Sequence, residues 1–187
     1  MLTMTSLWAA ILVAAVLTWI ASALIWTVLP WHKNDFSKLP DEDSALASLR
    51  PQELTPGQYH FPYMASPGDV KDPAVREKLE AGPAGFMTVL PRGVSNMGKS
   101  MALSLMFNVF VSAAVAYLAS RTVAANADYL EVFRVTGTVA WLTYGMAVIP
   151  DAIWFGRPWS IVAKYIVDAF IYGLLTAGAF GWLWPVA

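Results

Sequence analysis

The sequence contains no cysteine and only two histidines, His32 and His60, among its 187 residues. Without cysteine the protein can form neither disulfide bonds nor thiolate metal sites, and it has no cysteine nucleophile. Neither histidine has a second histidine at the short spacing that is typical of zinc sites. We therefore expect no metal ion and no other cofactor.

Charged residues are also scarce. They make up 13% of the sequence, whereas 57% of the residues are hydrophobic, and an average soluble domain has roughly 25% charged residues. The formal net charge of −1 gives no concentrated basic surface, so nucleic acid is not an expected partner. This balance predicts an integral membrane protein with membrane lipids as its immediate partners.

Four apolar segments approach the roughly 20 residues that cross a bilayer core. They run over residues 7–29, 101–119, 135–149 and 161–184. The third is the shortest, because Pro150 should kink or end it. The sequence therefore predicts an all-α membrane protein, a four-transmembrane-helix bundle with helix 1 in residues 1–31 and helices 2–4 in residues 99–187.

The segment between the first two helices, residues 32–98, carries most of the lysines and arginines. Because the opposite side offers only Arg121 and Arg134, the positive-inside rule places this segment in the cytoplasm and both termini outside. Sequence signals within it indicate two short helices, from Asp41 to about Arg50 and in DPAVREKLEAG, and two short strands, in GQYHFPYMA and GFMTVLP. We expect a small α+β insertion that lies against the membrane domain or a partner, since it is too small to bury much core alone.

The stretch GVSNMGKS, residues 93–100, matches the G-x-x-x-x-G-K-S pattern of phosphate-binding loops. Such a loop works between a buried strand and the first helix of a parallel α/β sheet, and too few residues lie outside the membrane to build one. We therefore expect no nucleotide. In our interpretation Ser95 or Asn96 caps the second membrane helix, while Arg92 and Lys99 contact lipid headgroups; the alternative is a lipid phosphate bound at the N-terminus of this helix.

Polar residues inside the membrane are further candidates for a site, since they are costly there. Asn108 and Asp168 each lie about nine residues into their helices from the cytoplasmic side, and therefore at similar depth. Lys164 precedes Asp168 by four residues on the same helix face, within reach of an ion pair. The sequence predicts one intramembrane polar cluster of Asn108, Tyr144, Lys164 and Asp168. It is either an interhelical network that fixes helix register or a pathway for a solute or proton.

Small residues repeat every four positions on two of the helices and indicate close helix packing. These stripes are Ser112, Ala116 and Ser120 on the second helix, and Gly173, Ala177 and Gly181 on the fourth. We expect them to form contacts within the bundle, with contacts between subunits as the alternative.

Three stretches, WHKNDFSKLPDED, PRGVSNMGKSM and IWFGRPWSIVAKYIVDAFIYGLLTAGAFGWLWP, resemble a group of small bacterial integral membrane proteins with no assigned activity. The resemblance implies a bacterial inner membrane and supplies no catalytic residues. No hydrolase or metalloprotease motif is present either. The sequence therefore predicts a non-enzymatic structural or accessory subunit, working with other membrane subunits or with itself. The alternative is a small solute, ion or proton transporter or channel.

Overall fold

The structure, a computed structural model, describes residues 2–185. Four helical stretches in this part of the chain are long and apolar enough to cross a membrane, which confirms the predicted number. They cover Met4–Thr27, Met97–Thr122, Tyr129–Phe155 and Trp159–Trp182. In chain order the elements are α1 (Trp8–Thr27), α2 (Glu42–Leu49), β1 (Gly57–Phe61), α3 (Pro73–Ala81), β2 (Gly85–Val89), α4 (Met97–Thr122), α5 (Tyr129–Gly145), α6 (Ile149–Phe155) and α7 (Trp159–Trp182).

The third membrane-length stretch is longer than its charge-free core predicts. It begins at Tyr129 because the Asp128 side chain accepts a hydrogen bond of 2.9 Å from the backbone N–H of Glu131 and caps the helix. Pro150 does not end it: a short 3-10 turn, Met146–Val148, joins α5 to α6 just before the proline. A proline cannot donate to the helical ladder, so it changes the helix geometry at this point without stopping the chain.

Helices α5 and α7 form the most extensive helix contact of the described residues. Gly156, with φ of +69°, and Pro158, directly before α7, form the tight turn that leads into it. A methyl group on Gly173 would lie 3.0 Å from the Gly137 carbonyl oxygen, and one on Gly181 would lie 2.7 Å from the Tyr129 ring. The small residues of the stripe on α7 thus allow α5 to pack closely against it, and a larger side chain there would separate the two helices.

The stripe on α4 packs elsewhere in the same bundle. Ser112, Ala116 and Ser120 are buried, and Ala116 shares a core with Ala10 and Ala14 of α1. Both stripes therefore lie inside the bundle of one chain, and each packs mainly against a different partner helix.

Residues 36–95, with 154–156, form one compact unit, and residues 2–35, 96–153 and 157–185 form another, the helical unit. The two helices and two strands of the first unit confirm the four predicted elements. Asp41 and Asp72 cap α2 and α3 as predicted, accepting from the N–H groups of Ser44 and Ala74. The strands pair antiparallel, with Gly57 opposite Val89. Residues 32–35 and 96–98, which were predicted as part of the insertion, belong to the helical unit instead.

Candidate functional site

The predicted polar cluster is two clusters in the structure. One, the neutral cluster, consists of Thr18, Asn108 and Tyr144. The other, the ionic cluster, consists of His32, Asp35, Lys164 and Asp168. Asn108 and Tyr144 therefore have different hydrogen-bond partners from Lys164 and Asp168, although the four were predicted to form one cluster.

The neutral cluster joins three helices through one amide. Asn108 Oδ1 on α4 accepts hydrogen bonds of 2.9 Å from the Thr18 hydroxyl of α1 and from the Tyr144 hydroxyl of α5. Its Nδ2 donates to the backbone carbonyl of Ser104 at 2.8 Å. The buried amide is therefore satisfied on both sides, which fits an interhelical network that fixes the register of the helices.

The ionic cluster begins in the turn that follows α1. Pro30 opens a 3-10 turn, Pro30–His32, and the backbone N–H of Asp35 then donates to the carbonyl of His32 at 3.1 Å. This turn folds both side chains back into the bundle, where the His32 and Asp35 side chains are 4% and 2% exposed. The His32 ring stacks on Trp26, with ring centroids 3.8 Å apart.

Each charged residue of α7 takes a partner from this turn. His32 Nδ1 lies 2.5 Å from Asp35 Oδ2, and His32 Nε2 lies 2.8 Å from Asp168 Oδ2. Lys164 Nζ donates to Asp35 Oδ1 at 2.5 Å. The predicted Lys164–Asp168 pair is therefore corrected: helix spacing allows that contact, but the turn supplies a separate partner to each side chain.

The charges of the ionic cluster sum to zero when the His32 ring is protonated and both carboxyl groups are ionised. Burial raises the pKa of Asp35, but the hydrogen bonds and charges of Lys164 and His32 lower it further, so the net pKa lies below its usual range. An ionised carboxylate only accepts, so a ring that meets Asp35 and Asp168 while both are ionised donates from both nitrogens and is an imidazolium. Two carboxylates, one imidazolium and one ammonium then sum to zero, which is the condition under which burying charge costs least.

The ionic cluster borders a groove between the end of α1 and α7. The groove has a volume of about 450 Å³, and its lining is apolar apart from one carboxylate. The lining residues are Ile25, Leu29, Pro30, Trp31, Val167, Asp168 and Ile171. The carboxylates of Asp35 and Asp168 approach opposite nitrogens of the His32 ring, so they do not converge on one point. Within residues 2–185, no three His, Asp or Glu side chains are arranged to hold a metal ion.

The phosphate-loop motif lies at the start of α4. Asn96 caps this helix, since its Oδ1 accepts from the Lys99 N–H at 3.0 Å, as predicted. Arg92 and Lys99 are exposed, and their contact with lipid headgroups stays a prediction. The sheet of the described residues is two-stranded and antiparallel, which is not the parallel context that a phosphate loop requires.

A further ion pair joins Asp151 of α6 to Arg157, with Arg157 Nη2 3.2 Å from Asp151 Oδ2. His32 is not part of this pair, since its partners are Asp35 and Asp168.

Sequence reasoning missed Asp35 and Thr18. Asp35 follows a helix end and belongs to a charged stretch, HKND, so it is indistinguishable by pattern from a solvated residue. Its spacing of three from His32 was an available signal, because a turn brings such residues together. Thr18 gives no signal, since a threonine within a helix usually bonds its own backbone; the Ala14 carbonyl, 2.9 Å from the Thr18 hydroxyl, is such an alternative acceptor.

Comparison of the chain with protein-family models, with curated proteins and with solved structures finds no match. Its function therefore has to be inferred from its own residues and their geometry.

Proposed function

We propose that this protein is a non-enzymatic structural or accessory subunit of a complex in the bacterial inner membrane. One observation carries the proposal. The unit of residues 36–95 and 154–156 contains no buried side chain, yet it displays large apolar side chains to the surroundings. They include Phe36, Tyr63, Phe86, Leu90 and Val94.

A unit without a core has little to hold it in one conformation. Apolar burial is the main favourable contribution to folding, and Phe36 and Val94 remain 84% and 102% exposed. We infer that another molecule covers these exposed apolar side chains. The partner we propose is another membrane protein subunit or a second copy of this chain.

The helical unit supports this role as an anchor. The ionic cluster ties residues 32–35, which lead into the second unit, to Lys164 and Asp168 of α7. Its buried charges are paired and the neutral cluster is satisfied, as expected of interactions that fix the packing of a bundle. This arrangement supports a role of the helical unit as the membrane anchor of the chain.

In this proposal the basic segment faces the cytoplasm and both termini lie outside. Reporter fusions at each terminus and within residues 36–95 test the arrangement. A C-terminal reporter on the cytoplasmic side would contradict it.

Purification from native membranes tests the role as a subunit. A photo-crosslinking residue at Phe86 or Leu90 should form one discrete adduct, whereas the same residue at the exposed, charged Glu77 of α3 should not. The mass of the adduct distinguishes another subunit from a second copy. We expect Phe86→Ser and Leu90→Ser to release the partner and Glu77→Ser to retain it. A protein that purifies as a monomer, with no discrete adduct at either apolar position, would contradict the proposal.

The groove beside Asp168 favours one second candidate, a small solute, ion or proton transporter. An ionisable side chain in a cavity of a membrane protein is a recurrent feature of such pathways. Native protein and Asp168→Asn in proteoliposomes separate the two functions. We expect no flux above protein-free vesicles; a reproducible native flux that Asp168→Asn abolishes would establish the second candidate instead.

A further inference from the structure

We propose that the groove between the end of α1 and α7 binds a long-chain aliphatic lipid whose head is a neutral hydroxyl group, with the hydroxyl donating to Asp168. This inference does not depend on the role as an accessory subunit. It rests on the shape and lining of the groove, on the acceptor at its wall and on the charge balance behind that acceptor.

The groove matches an aliphatic chain in size and chemistry. Its volume of about 450 Å³ lies within the roughly 300–1,000 Å³ of small-molecule sites. Four aliphatic side chains line it, Ile25 of α1, Leu29 just after α1, and Val167 and Ile171 of α7. A hydrocarbon chain seated there exchanges the disordered surroundings of the bilayer for close packing against fixed side chains.

Asp168 provides the acceptor. Its side chain is only 5% exposed, yet it belongs to the groove wall. His32 occupies one acceptor position, at Oδ2, and the Trp31 side chain is the other hydrogen-bond donor near the carboxylate. A carboxylate has about four acceptor positions, and unfilled positions in apolar surroundings are costly. The carboxylate can therefore accept a donor from a molecule in the groove.

Trp31 is the protein group that competes for this position. Its side chain lines the groove and lies close to the Asp168 carboxylate. Because Trp31 lies at the end of the groove nearest the turn, a ligand hydroxyl would lie beside the indole with its chain extending along Ile171. Trp31→Phe removes the competing N–H while keeping an aromatic wall.

The charge balance selects a neutral donor. When the His32 ring donates to both carboxylates, which lie within hydrogen-bond distance of its two nitrogens, the charges of the ionic cluster with Lys164 sum to zero. A cationic head would bring an uncompensated charge into an apolar groove, which is costly. A phosphate or carboxylate head would meet the Asp168 carboxylate and be repelled. A hydroxyl donates a hydrogen bond and carries no charge, so it avoids both the cost of burying a cation and the repulsion of an anion.

Photolabelling in nanodiscs tests the proposal with a long-chain primary alcohol that carries a diazirine in its chain. The matched probe is its methyl ether, which has the same chain but no donor. We expect the alcohol to label α7 and the end of α1, and the ether to label them about tenfold less at equal concentration, as loss of one hydrogen bond to a charged acceptor implies. The corresponding amine and fatty acid should also label weakly.

Variants connect the label to the groove. Ile171→Trp fills the groove, keeps all four residues of the ionic cluster and should abolish selective labelling, whereas Leu103→Trp, at an exposed position of α4 outside the groove, should not. Asp168→Leu should make alcohol and ether equal; if it fails to fold, Ile171→Trp still decides. Trp31→Phe should leave labelling equal or stronger. Equal labelling by alcohol and ether in the native protein, or preference for the amine, would overturn the proposal.

Discussion

The neutral and ionic clusters lie in the same helical unit but differ in how they are built. The neutral cluster brings together side chains that all come from helix interiors, Thr18, Asn108 and Tyr144. The ionic cluster takes two of its four members from a turn, and all four have ionisable side chains. The comparison indicates that neutral groups can fix helix register, whereas the charged groups hold the turn after α1 against α7.

Asp35→Ala should have the largest effect, because it removes the acceptor shared by Lys164 and His32. Breaking a buried ion pair from one side lowers the free energy of unfolding by about 3 kcal/mol or more. Unfolding in detergent measures this loss. Lys33→Ala, an exposed change in the same turn, is the control and should cost less than about 0.5 kcal/mol. Equal losses would remove the energetic distinction between buried and exposed charge.

A double-variant cycle identifies the partner of Lys164. The Asp35–Lys164 pair is in direct contact, so Asp35→Leu with Lys164→Leu should cost less than the sum of the single changes, by about 1 kcal/mol or more. Lys164→Leu with Asp168→Leu should be closer to additive, since each side chain has a different partner. Stronger coupling in the second cycle would restore the pair that helix spacing suggests.

Acid should weaken the ionic cluster and not the neutral one. The folded-state pKa of Asp35 is lowered by Lys164 and His32 against the opposing effect of burial, so its stabilisation is complete above its usual pKa of about 3.9. That stabilisation is lost as pH falls through the lower folded value. Melting temperature measured from neutral pH down to this range should fall in the native protein and fall less in Asp35→Asn. Parallel profiles would show that other carboxyls cause the acid sensitivity.

Asn108→Leu probes the neutral cluster and should have a smaller effect. Tyr144 loses its acceptor, but Thr18 keeps a backbone carbonyl at Ala14. We expect a loss of about 1 kcal/mol, in the range of interhelical hydrogen bonds between membrane helices. The same unfolding measurement applies, with Ser104→Ala as a control that leaves its carbonyl in place. A loss as large as that of Asp35→Ala would make the two clusters energetically alike.

Lys99→Ala should have the smallest effect, because this lysine is exposed and belongs to neither cluster. Stability should change by less than about 0.5 kcal/mol. Neither the variant nor the native protein should bind ATP or GTP by calorimetry with Mg²⁺. Micromolar, Mg²⁺-dependent binding that is lost in the variant would show that the loop motif is functional after all.

Much of the fold was predictable because its signals are local. The length of an apolar run fixes whether a helix can span a bilayer, and Asp41, Asp72 and Asn96 cap the helices that follow them. The glycine and proline of the turn at Gly156 and Pro158 are local signals of the same kind. Pro150 was the local exception: the chain continues as α6 after a 3-10 turn, because neighbouring packing can tolerate one missing hydrogen bond.

The sequence by itself thus determined the helices, the short elements between them and the residue types that burial would force to pair. It placed Lys164 and Asp168 on one face of one helix, but their partners lie 129 and 136 residues away in the chain. Helical periodicity carries no information about which distant turn folds against a face. Only the tertiary structure decided the pairing, because a buried charge takes whichever donor or acceptor the packing brings within hydrogen-bond distance.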